Sequence, residues 1–263
     1  MYKSSIDFSK YSSIKIGAPT PITILEKSDI SRLAELESSA CIGHACNLIV
    51  SPEARGLVML GKEFDYIEEC ADFIEVGAAT PSGKIFAFFK ARDLGGLEFL
   101  HALPGSAGGL LKMNAGMKQH EMSGVVIGAC VNGRWVDSAE LGLSYRTSRI
   151  GGIISAVRFA KRAGFSQEVL RACKDMRKTH PKMPSCGSCF KNPSGDYAGR
   201  LLEAAGLKGF VRNGVGFSGE HANFLVNHGG ASFEDAIYAI EHAQKVVLEK
   251  SGILLEKEVK IIE

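Results

Sequence analysis

The stretch LPGSAGGLLKMNAGM, residues 103–117, carries the strongest local signal in the sequence. It sets four glycines among small residues: Gly105, Gly108, Gly109 and Gly116. Glycine tolerates positive φ and brings no side chain, so the backbone N–H groups of such a run can converge on an anion. The stretch therefore predicts a phosphate cradle, with a set of tight turns as the alternative explanation.

The spacing of these glycines differs from two common nucleotide-binding fingerprints. It does not follow G-x-G-x-x-G, and G-x-x-x-x-G-K-[ST] is absent from the sequence, which disfavours Rossmann and P-loop proteins. A second small-residue segment, IGHACNLIVS at 42–51, lies between strand-like pieces. The sequence has 30 glycines in 263 residues, about 11% against a usual ~7%, and the two segments hold part of this excess.

Composition indicates an ordinary globular protein. Hydrophobic residues make up 45% and charged residues 23%, which excludes disordered, collagen-like and coiled-coil classes. The 31 basic and 29 acidic residues give a net charge of +2, so no nucleic-acid partner is expected. Without an apolar signal region or an 18-residue apolar stretch, neither a signal peptide nor a membrane span is expected. Seven scattered cysteines indicate free thiols in the cytoplasm.

The order of predicted elements indicates an α+β protein. Residues 21–60 read as strand, helix and strand, and the following hundred or so residues mix strands with a helix near GKIFAFFKARD, without a regular βαβ alternation. Helices dominate after Phe165, and the clearest one runs from Ser232 to about Lys250, with Gly252 as its stop. The tail ILLEKEVKII is strand-like and is expected to return to an earlier sheet.

The segment SCGSCFKNP, residues 185–193, concentrates polar groups. Cys186 and Cys189 form a C-x-x-C pair, but no second Cys or His pair stands at zinc-ligand spacing, and a thioredoxin-like strand-to-helix context is missing. A hydroxyl, an ammonium and an amide suit the binding of a charged substrate: Ser188, Lys191 and Asn192. An ordinary polar loop is the alternative.

Three further residues indicate a catalytic or binding function only when they are taken together. Arg146 in SYRTSRI can pair with a carboxylate or phosphate in a bidentate way. Glu258 lies in the last predicted strand, and His221 in GEHANFLVN is a candidate functional imidazole. Each also has a common structural explanation, as a surface arginine, a solvent-facing glutamate or a hydrogen-bonded histidine.

Taken together and in this order, the segments resemble the bacterial UDP-N-acetylenolpyruvoylglucosamine reductases, which are flavoenzymes of peptidoglycan precursor synthesis. The resemblance extends from about Lys15 to Ile262. It depends most on the patterns PGSAGG-x4-NAG, GSCFKNP and AG-x-L-x-E-x-AGLKG. In length the chain resembles the shorter of the family's two forms, which lacks a tyrosine loop over the substrate.

The resemblance implies an FAD-binding fold of the PCMH/vanillyl-alcohol-oxidase type. This fold has two α+β subdomains, here expected at residues 1–63 and 64–178. A C-terminal α+β substrate-binding domain is expected at 179–250, with residues 251–263 returning to the second subdomain.

By the same resemblance, the two glycine-rich segments hold FAD. The residues expected to bind it are Gly43, His44, Ala45, Cys46, Asn47, Gly105, Ser106, Gly108, Gly109, Asn114 and Gly116. The family pattern of the first loop is usually G-x-G-S-N, whereas this chain has alanine and cysteine at the third and fourth positions. Alanine lacks the conformational freedom of glycine, and cysteine forms poorer hydrogen bonds than serine. We therefore expect FAD binding to depend more on the second loop.

The family reaction reduces an enolpyruvyl ether to a lactyl ether. NADPH gives hydride to FAD, and the reduced flavin gives hydride to the β-carbon of the substrate, which leaves negative charge on the α-carbon and its carboxylate. The resemblance assigns Ser188 as the proton donor, Arg146 as the contact of the carboxylate and Glu258 as an assisting group. It also places Lys191 and Asn192 near the substrate diphosphate. A UDP-sugar and NADPH are therefore the expected partners, and no metal is expected.

The residues also allow other readings. Cys189 directly follows Ser188, and a thiol is intrinsically the better acid. Another FAD oxidoreductase, such as an oxidase of hydroxy acids or sugars, would share the fold. The altered first loop is compatible with a flavin-free protein that binds a nucleotide sugar, and a thiol-based transferase would use Cys186 or Cys189.

Overall fold

The computed structural model describes residues 1–36 and 39–263. Contacts within the chain divide it into two compact units, which are described separately. The first unit comprises residues 1–4, 22–44 and 56–177. The second unit comprises residues 5–21, 45–55 and 178–263.

The structure combines short strands with helices, which confirms the predicted α+β class. The strands are β1 (Tyr2–Asp7), β2 (Pro19–Leu25), β3 (Ala40–Cys41), β4 (Leu48–Val50), β5 (Leu57–Leu60), β6 (Ile67–Glu69), β7 (Phe73–Gly77), β8 (Gly116–Met117), β9 (His120–Glu121), β10 (Val126–Val131), β11 (Arg134–Asp137), β12 (Ile154–Ala160), β13 (Ser185–Ser188), β14 (Val211–Arg212), β15 (Val215–Phe217), β16 (Phe224–Asn227) and β17 (Lys260–Ile262). The α-helices are α1 (Phe8–Tyr11), α2 (Ser82–Ala91), α3 (Ala107–Lys112), α4 (Gln167–Arg177), α5 (Ala198–Ala204) and α6 (Phe233–Ser251). Short 3₁₀ segments are Lys27–Leu36, Lys62–Phe64, Glu98–His101, Met122–Gly124 and Ser138–Glu140. Within the described residues, no helix has both the length and the apolar character needed to cross a membrane.

The main sheet of the first unit has five antiparallel strands in the order β11-β10-β12-β7-β6. Alternate residues of β7 and β12 face its core, where Ile74, Val76, Val157 and Phe159 are buried. Phe89 of α2 packs edge to face on Phe159 with ring centroids 6.0 Å apart. Residues of α3 belong to the same core, so hydrophobic packing fixes the glycine-rich stretch that contains this helix.

A smaller sheet has the order β1-β2-β5-β3, and β5 pairs in parallel with both β2 and β3. The sequence predicts an α-helix between β2 and β3, whereas Lys27–Leu36 forms 3₁₀ turns. Asp29 gives a local reason, because its carboxylate accepts the backbone N–H of Glu26 at 2.8 Å and pairs with the N-terminal ammonium of Met1. These contacts favour a tight turn over a regular helix start.

The second unit contains an antiparallel sheet in the order β13-β16-β15-β14. Its core includes Leu225 of β16, Leu201 of α5 and Ile240 of α6, all of them buried. A separate parallel pair joins β17 to β4, with Ile261 opposite Ile49. The hydrophobic core thus collects side chains from distant parts of the sequence.

The partner of the last strand differs from the expectation. The expected return of residues 251–263 to residues 64–178 is wrong, because β17 pairs with β4. Leu255 and Val259 pack in the same core as Ile49, so the apolar residues of the tail are buried within the second unit. Residues 1–63 contribute to both units, and the three-domain division stays a prediction.

Helix α6 has the ends that the sequence predicts. The Ser232 hydroxyl accepts the N–H of Asp235, and the Asp235 carboxylate accepts the N–H of Ser232, each at 3.1 Å, which completes a capping box. Gly252 closes the helix with φ 72°, and its N–H donates to Leu248. The buried face of the helix consists of Ala236, Ala239, Ile240, Ala243 and Val247, whereas Leu248 is 43% exposed.

The capping box predicts the effect of a substitution at Ser232. Ser232→Ala removes the acceptor for the Asp235 N–H and is expected to destabilise the fold by about 1 kcal/mol. Ser232→Thr keeps the hydroxyl and serves as the matched control. Urea denaturation followed by circular dichroism compares the two variants with the wild-type chain. Equal stability of the alanine and threonine variants would contradict a role for the hydroxyl.

Candidate active site

The first and second predicted loops meet within the first unit. A Cβ atom built on Gly43 would lie 2.5 Å from Ser106 Oγ, so a side chain at this position would force Ser106 to shift. Burial lowers the pKa of His44, and a hydrogen bond with the backbone of Gly105 offsets part of that effect. Residues 43–44 therefore contact residues 105–106 within the first unit.

The start of α3 uses its glycines mainly for close packing. Ser106 is the N-cap, and its Oγ accepts the N–H of Gly109 at 3.4 Å. The N–H of Gly108 donates to Ala78 O at 2.9 Å, and a Cβ on Gly108 would lie 3.0 Å from the Cβ of Ala78. Protein groups therefore accept hydrogen bonds from the N–H groups of Gly108 and Gly109. An anion would have to bind the N–H groups of other residues in this loop.

The rest of the first loop belongs to the second unit. Ala45 is 2% exposed and has φ 48°, a left-handed conformation that glycine adopts more easily. Burial raises the pKa of the Cys46 thiol. Asn47 donates from Nδ2 to Glu258 O at 3.1 Å, and its own carbonyl accepts the N–H of Lys260 at 3.0 Å. Asn47 therefore fixes the segment that carries Glu258.

Ser188 and Glu258 lie on paired segments of the second unit. Ser188 ends β13, and the carbonyl of the next residue, Cys189, accepts the N–H of Glu258 at 2.8 Å. Gly187, directly before Ser188, has φ 78°, which bends the strand where its register with β16 shifts. Both side chains are half-buried. The structure thus brings together the backbones of two of the three predicted catalytic residues.

The two cysteines beside Ser188 are buried thiols. Cys186 and Cys189 are 1% and 0% exposed, and all seven cysteines, each within the described ranges, are free. Burial raises the pKa of Cys186 to about 12 and that of Cys189 well above its ordinary value, and the charge of Glu258 adds to both shifts. Their thiolates are therefore disfavoured, which argues against thiol chemistry at the C-x-x-C pair.

Lys191 and Asn192 contact protein groups in this structure. Lys191 Nζ pairs with Glu256 at 2.6 Å, where the Glu256 side chain is 72% exposed. Asn192 Oδ1 accepts the N–H of Ala198 at 3.0 Å and so caps the start of α5. Both residues lie close in sequence to Ser188, and an incoming substrate would compete with the Glu256 carboxylate for Lys191.

Arg146 lies in a turn of the first unit between Ser144 and Thr147, with φ 54°. Its Nη2 donates to Gly116 O at 2.8 Å, and its Nη1 lies 3.4 Å from Glu121 Oε1. The other oxygen of Glu121 accepts a hydrogen bond from Asn114 at 2.9 Å. Asn114 and Gly116, both predicted to bind FAD, are therefore joined in one network with Arg146, which is predicted to bind the substrate.

Two residues of these networks escaped the sequence analysis. One is Glu121, and the other is Asn223, whose side chain donates to Phe190 O at 2.8 Å and accepts the Phe190 N–H at 3.0 Å. The neighbouring His221 is half-buried, its Nδ1 accepts the Asn223 N–H at 3.2 Å, and burial lowers its pKa. His221 therefore has the structural explanation that the sequence analysis left open, and Asn223 holds the strand beside Ser188.

Comparisons with known proteins agree with the resemblance. The family profile described as "UDP-N-acetylenolpyruvoylglucosamine reductase, C-terminal domain" matches residues 179–262. A curated relative named UDP-N-acetylenolpyruvoylglucosamine reductase, from Helicobacter pylori (strain J99), is 52% identical over 263 residues and covers 100% of both chains. Its namesake from Campylobacter jejuni (strain RM1221) is 40% identical over 262 residues, which are 98% of this chain and 99% of that one.

A solved structure has the same fold. The crystal structure of UDP-N-acetylenolpyruvylglucosamine reductase from Thermus caldophilus matches with a TM-score of 0.87 and 28% identity, and the match covers 100% of both chains. This similarity confirms the fold expected from the sequence motifs. Relatives at 40% to 52% identity match nearly the whole chain. The chain belongs to the UDP-N-acetylenolpyruvoylglucosamine reductase family of oxidoreductases, as its motifs predict.

Proposed function

We propose that this chain is an NADPH-dependent flavoenzyme of peptidoglycan precursor synthesis. It reduces the enolpyruvyl group of UDP-N-acetylenolpyruvoylglucosamine to the lactyl ether of UDP-N-acetylmuramate. The observation that carries the proposal is the pairing of the segments that hold Ser188 and Glu258, joined by the 2.8 Å bond from the Glu258 N–H to Cys189 O. Family membership supports the substrate, and residues 179–250 are proposed to bind the sugar nucleotide.

The residues present fit an FAD cofactor. Gly43 and Gly105 bring no side chain to the two loops, and a backbone without side chains can approach a pyrophosphate closely. Within the first unit, we assign the cofactor to Gly43, His44, Gly105 and Ser106. When bound, FAD would accept hydride from NADPH and transfer hydride to the β-carbon of the substrate.

Side chains of this protein stabilise the negative charge that follows hydride addition and deliver a proton. Negative charge develops on the α-carbon and on the carboxylate, so the site must stabilise an enolate-like species and deliver one proton. Ser188 Oγ donates that proton to the α-carbon, and Arg146 pairs with the carboxylate. Glu258, held beside Ser188 by the backbone, assists at the same charge. A serine hydroxyl is a weak acid, so this role requires a strongly basic carbanion in a dry site.

Recognition of the diphosphate falls to the loop after Ser188. Lys191, whose side chain is 13% exposed, would exchange its contact with the exposed Glu256 carboxylate for the diphosphate. Asn192 already caps α5 through Oδ1, so its amide NH₂ group is the part assigned to the substrate.

Substitution of the proposed proton donor separates the two steps of the reaction. Ser188→Ala is expected to lower substrate reduction by at least about 10²-fold, the scale of general-acid catalysis, while NADPH still bleaches the flavin. Cys189→Ala is the matched control, since this buried thiol has a raised pKa, and it should keep activity near the wild-type level. Anaerobic stopped-flow absorbance measures both steps. If Cys189→Ala is the inactive variant, the assignment to Ser188 is wrong.

An anaerobic titration tests the reaction class. The purified chain is expected to be yellow, to bleach on addition of NADPH and to regain its colour on addition of the enolpyruvyl UDP-sugar. Recovery with oxygen alone, and not with this substrate, would indicate an oxidase of the same fold. A colourless chain that cannot be reconstituted with FAD would support a flavin-free binding protein instead.

The first loop predicts a gain of stability at Ala45. Because Ala45 has φ 48°, Ala45→Gly relieves a left-handed alanine and is expected to stabilise the fold by about 0.5 to 1 kcal/mol. Ala54→Gly, at a buried alanine outside the left-handed residues, is the matched control and should destabilise it. Denaturant midpoints, measured with and without FAD, compare the two. A loss of stability in both variants would contradict strain at Ala45.

A further inference from the structure

The hairpin of β8 and β9 carries a carboxylate with two engaged oxygens. Glu121 Oε2 accepts a hydrogen bond from Asn114 Nδ2 at 2.9 Å, and Oε1 lies 3.4 Å from Arg146 Nη1. The side chains of Glu121 and Arg146 are only 22% and 18% exposed, so limited access of water strengthens both contacts. Glu121 therefore connects Asn114 with Arg146 inside the first unit.

Asn114 is itself held by the backbone on both sides. Its Oδ1 accepts the N–H of Ser123 at 2.9 Å, and its Nδ2 also donates to Ser144 O at 3.1 Å. The residue is 1% exposed. Since Ser144 starts the turn that contains Arg146, Asn114 ties this turn to the hairpin, and its amide has a single orientation that satisfies all three bonds.

The guanidinium of Arg146 is fixed by two groups of one hairpin. Nη2 donates to Gly116 O and Nη1 faces Glu121, and these two residues are directly opposite each other in the β8–β9 register. Arg146 also has the left-handed φ of 54°, which most side chains avoid and which persists where surrounding contacts determine it. Position and plane of the guanidinium are therefore both set by the fold.

We infer that Glu121 is a positioning residue that holds the Arg146 guanidinium in the plane needed to bind the substrate carboxylate. The inference rests on the proposed function, because it takes Arg146 as the partner of that carboxylate. A guanidinium recognises a carboxylate through two coplanar N–H donors, so a rotated plane weakens both bonds together. Glu121 acts through Arg146 and does not touch the substrate.

The geometry explains why this position requires a carboxylate. Asn114 Nδ2 and Arg146 Nη1 are both donors, so the group between them must accept twice. A glutamine in place of Glu121 offers one oxygen and turns an NH₂ group toward the other donor. Asn114 cannot reverse its amide to compensate, because its Oδ1 is bound to the N–H of Ser123.

The substitution Glu121→Gln in the FAD-loaded full chain tests the inference. We expect the dissociation constant of the enolpyruvyl UDP-sugar to rise about tenfold, the scale of one lost charge-assisted hydrogen bond. Binding of UDP-N-acetylglucosamine, which lacks the enolpyruvyl carboxylate, should be unchanged. Calorimetric titration of the oxidised protein without NADPH measures both constants. An equal loss for both ligands would mean a general structural defect and would overturn the inference.

Two further variants sharpen the test. Gln119→Ala, at the exposed tip of the same hairpin, is the matched control and should bind both ligands like the wild-type chain. In the background Arg146→Lys, adding Glu121→Gln should cause no further loss for the enolpyruvyl ligand, because the group that Glu121 orients is gone. Another tenfold loss in the double variant would show that Glu121 acts by a different route.

The outcomes keep this inference separate from the proposed function. If the wild-type chain neither binds nor reduces the enolpyruvyl UDP-sugar, the proposed function fails. If the wild-type chain does both and Glu121→Gln binds the two ligands as tightly as the wild type, only the positioning role of Glu121 fails.

Discussion

The backbone of Cys189 is the point on which the second unit depends. Its N–H donates to Asn223 O at 2.7 Å, and its carbonyl accepts the N–H groups of Glu258 and Val259 at 2.8 and 3.2 Å. One residue thereby joins the antiparallel sheet to the segment before β17. Ser188 directly precedes this junction, so main-chain hydrogen bonds of the next residue fix the position of its backbone.

Strained backbone occurs at three of the residues assigned to the candidate site. Ala45, Asn114 and Arg146 all have positive φ, of 48°, 40° and 54°. Glycine would adopt this conformation with less backbone strain at each position. Hydrogen bonds or burial within its own unit hold each residue in place. The positive φ of Arg146 directs its guanidinium, and the positive φ of Asn114 brings its side-chain amide to Glu121. Ala45 adopts this conformation as a buried residue of the first loop.

Features that depend only on neighbouring residues are predicted correctly from the sequence. The capping box of Ser232 and the stop at Gly252 need only neighbouring residues, and both were recognised from the sequence. The partner of β17 was mistaken because an apolar tail can pair with any open sheet edge. Glu121 and Asn223 were missed because their hydrogen bonds reach residues elsewhere in the sequence. Such contacts leave no periodic pattern in the sequence. The order of motifs identified the family, whereas the contacts that orient the site required coordinates.

The pairing of β17 with β4 also sets an order of events during synthesis. Asn47 and Glu258 are 211 residues apart, and contacts this distant in sequence form slowly and late. While the chain emerges from the ribosome, residues 45–50 have no strand to pair with until Lys260–Ile262 have followed. The half of the first loop that lies in this segment therefore lacks its strand partner until residues 260–262 have been synthesised. We expect the nascent chain to expose β4 as an open strand edge until that pairing forms.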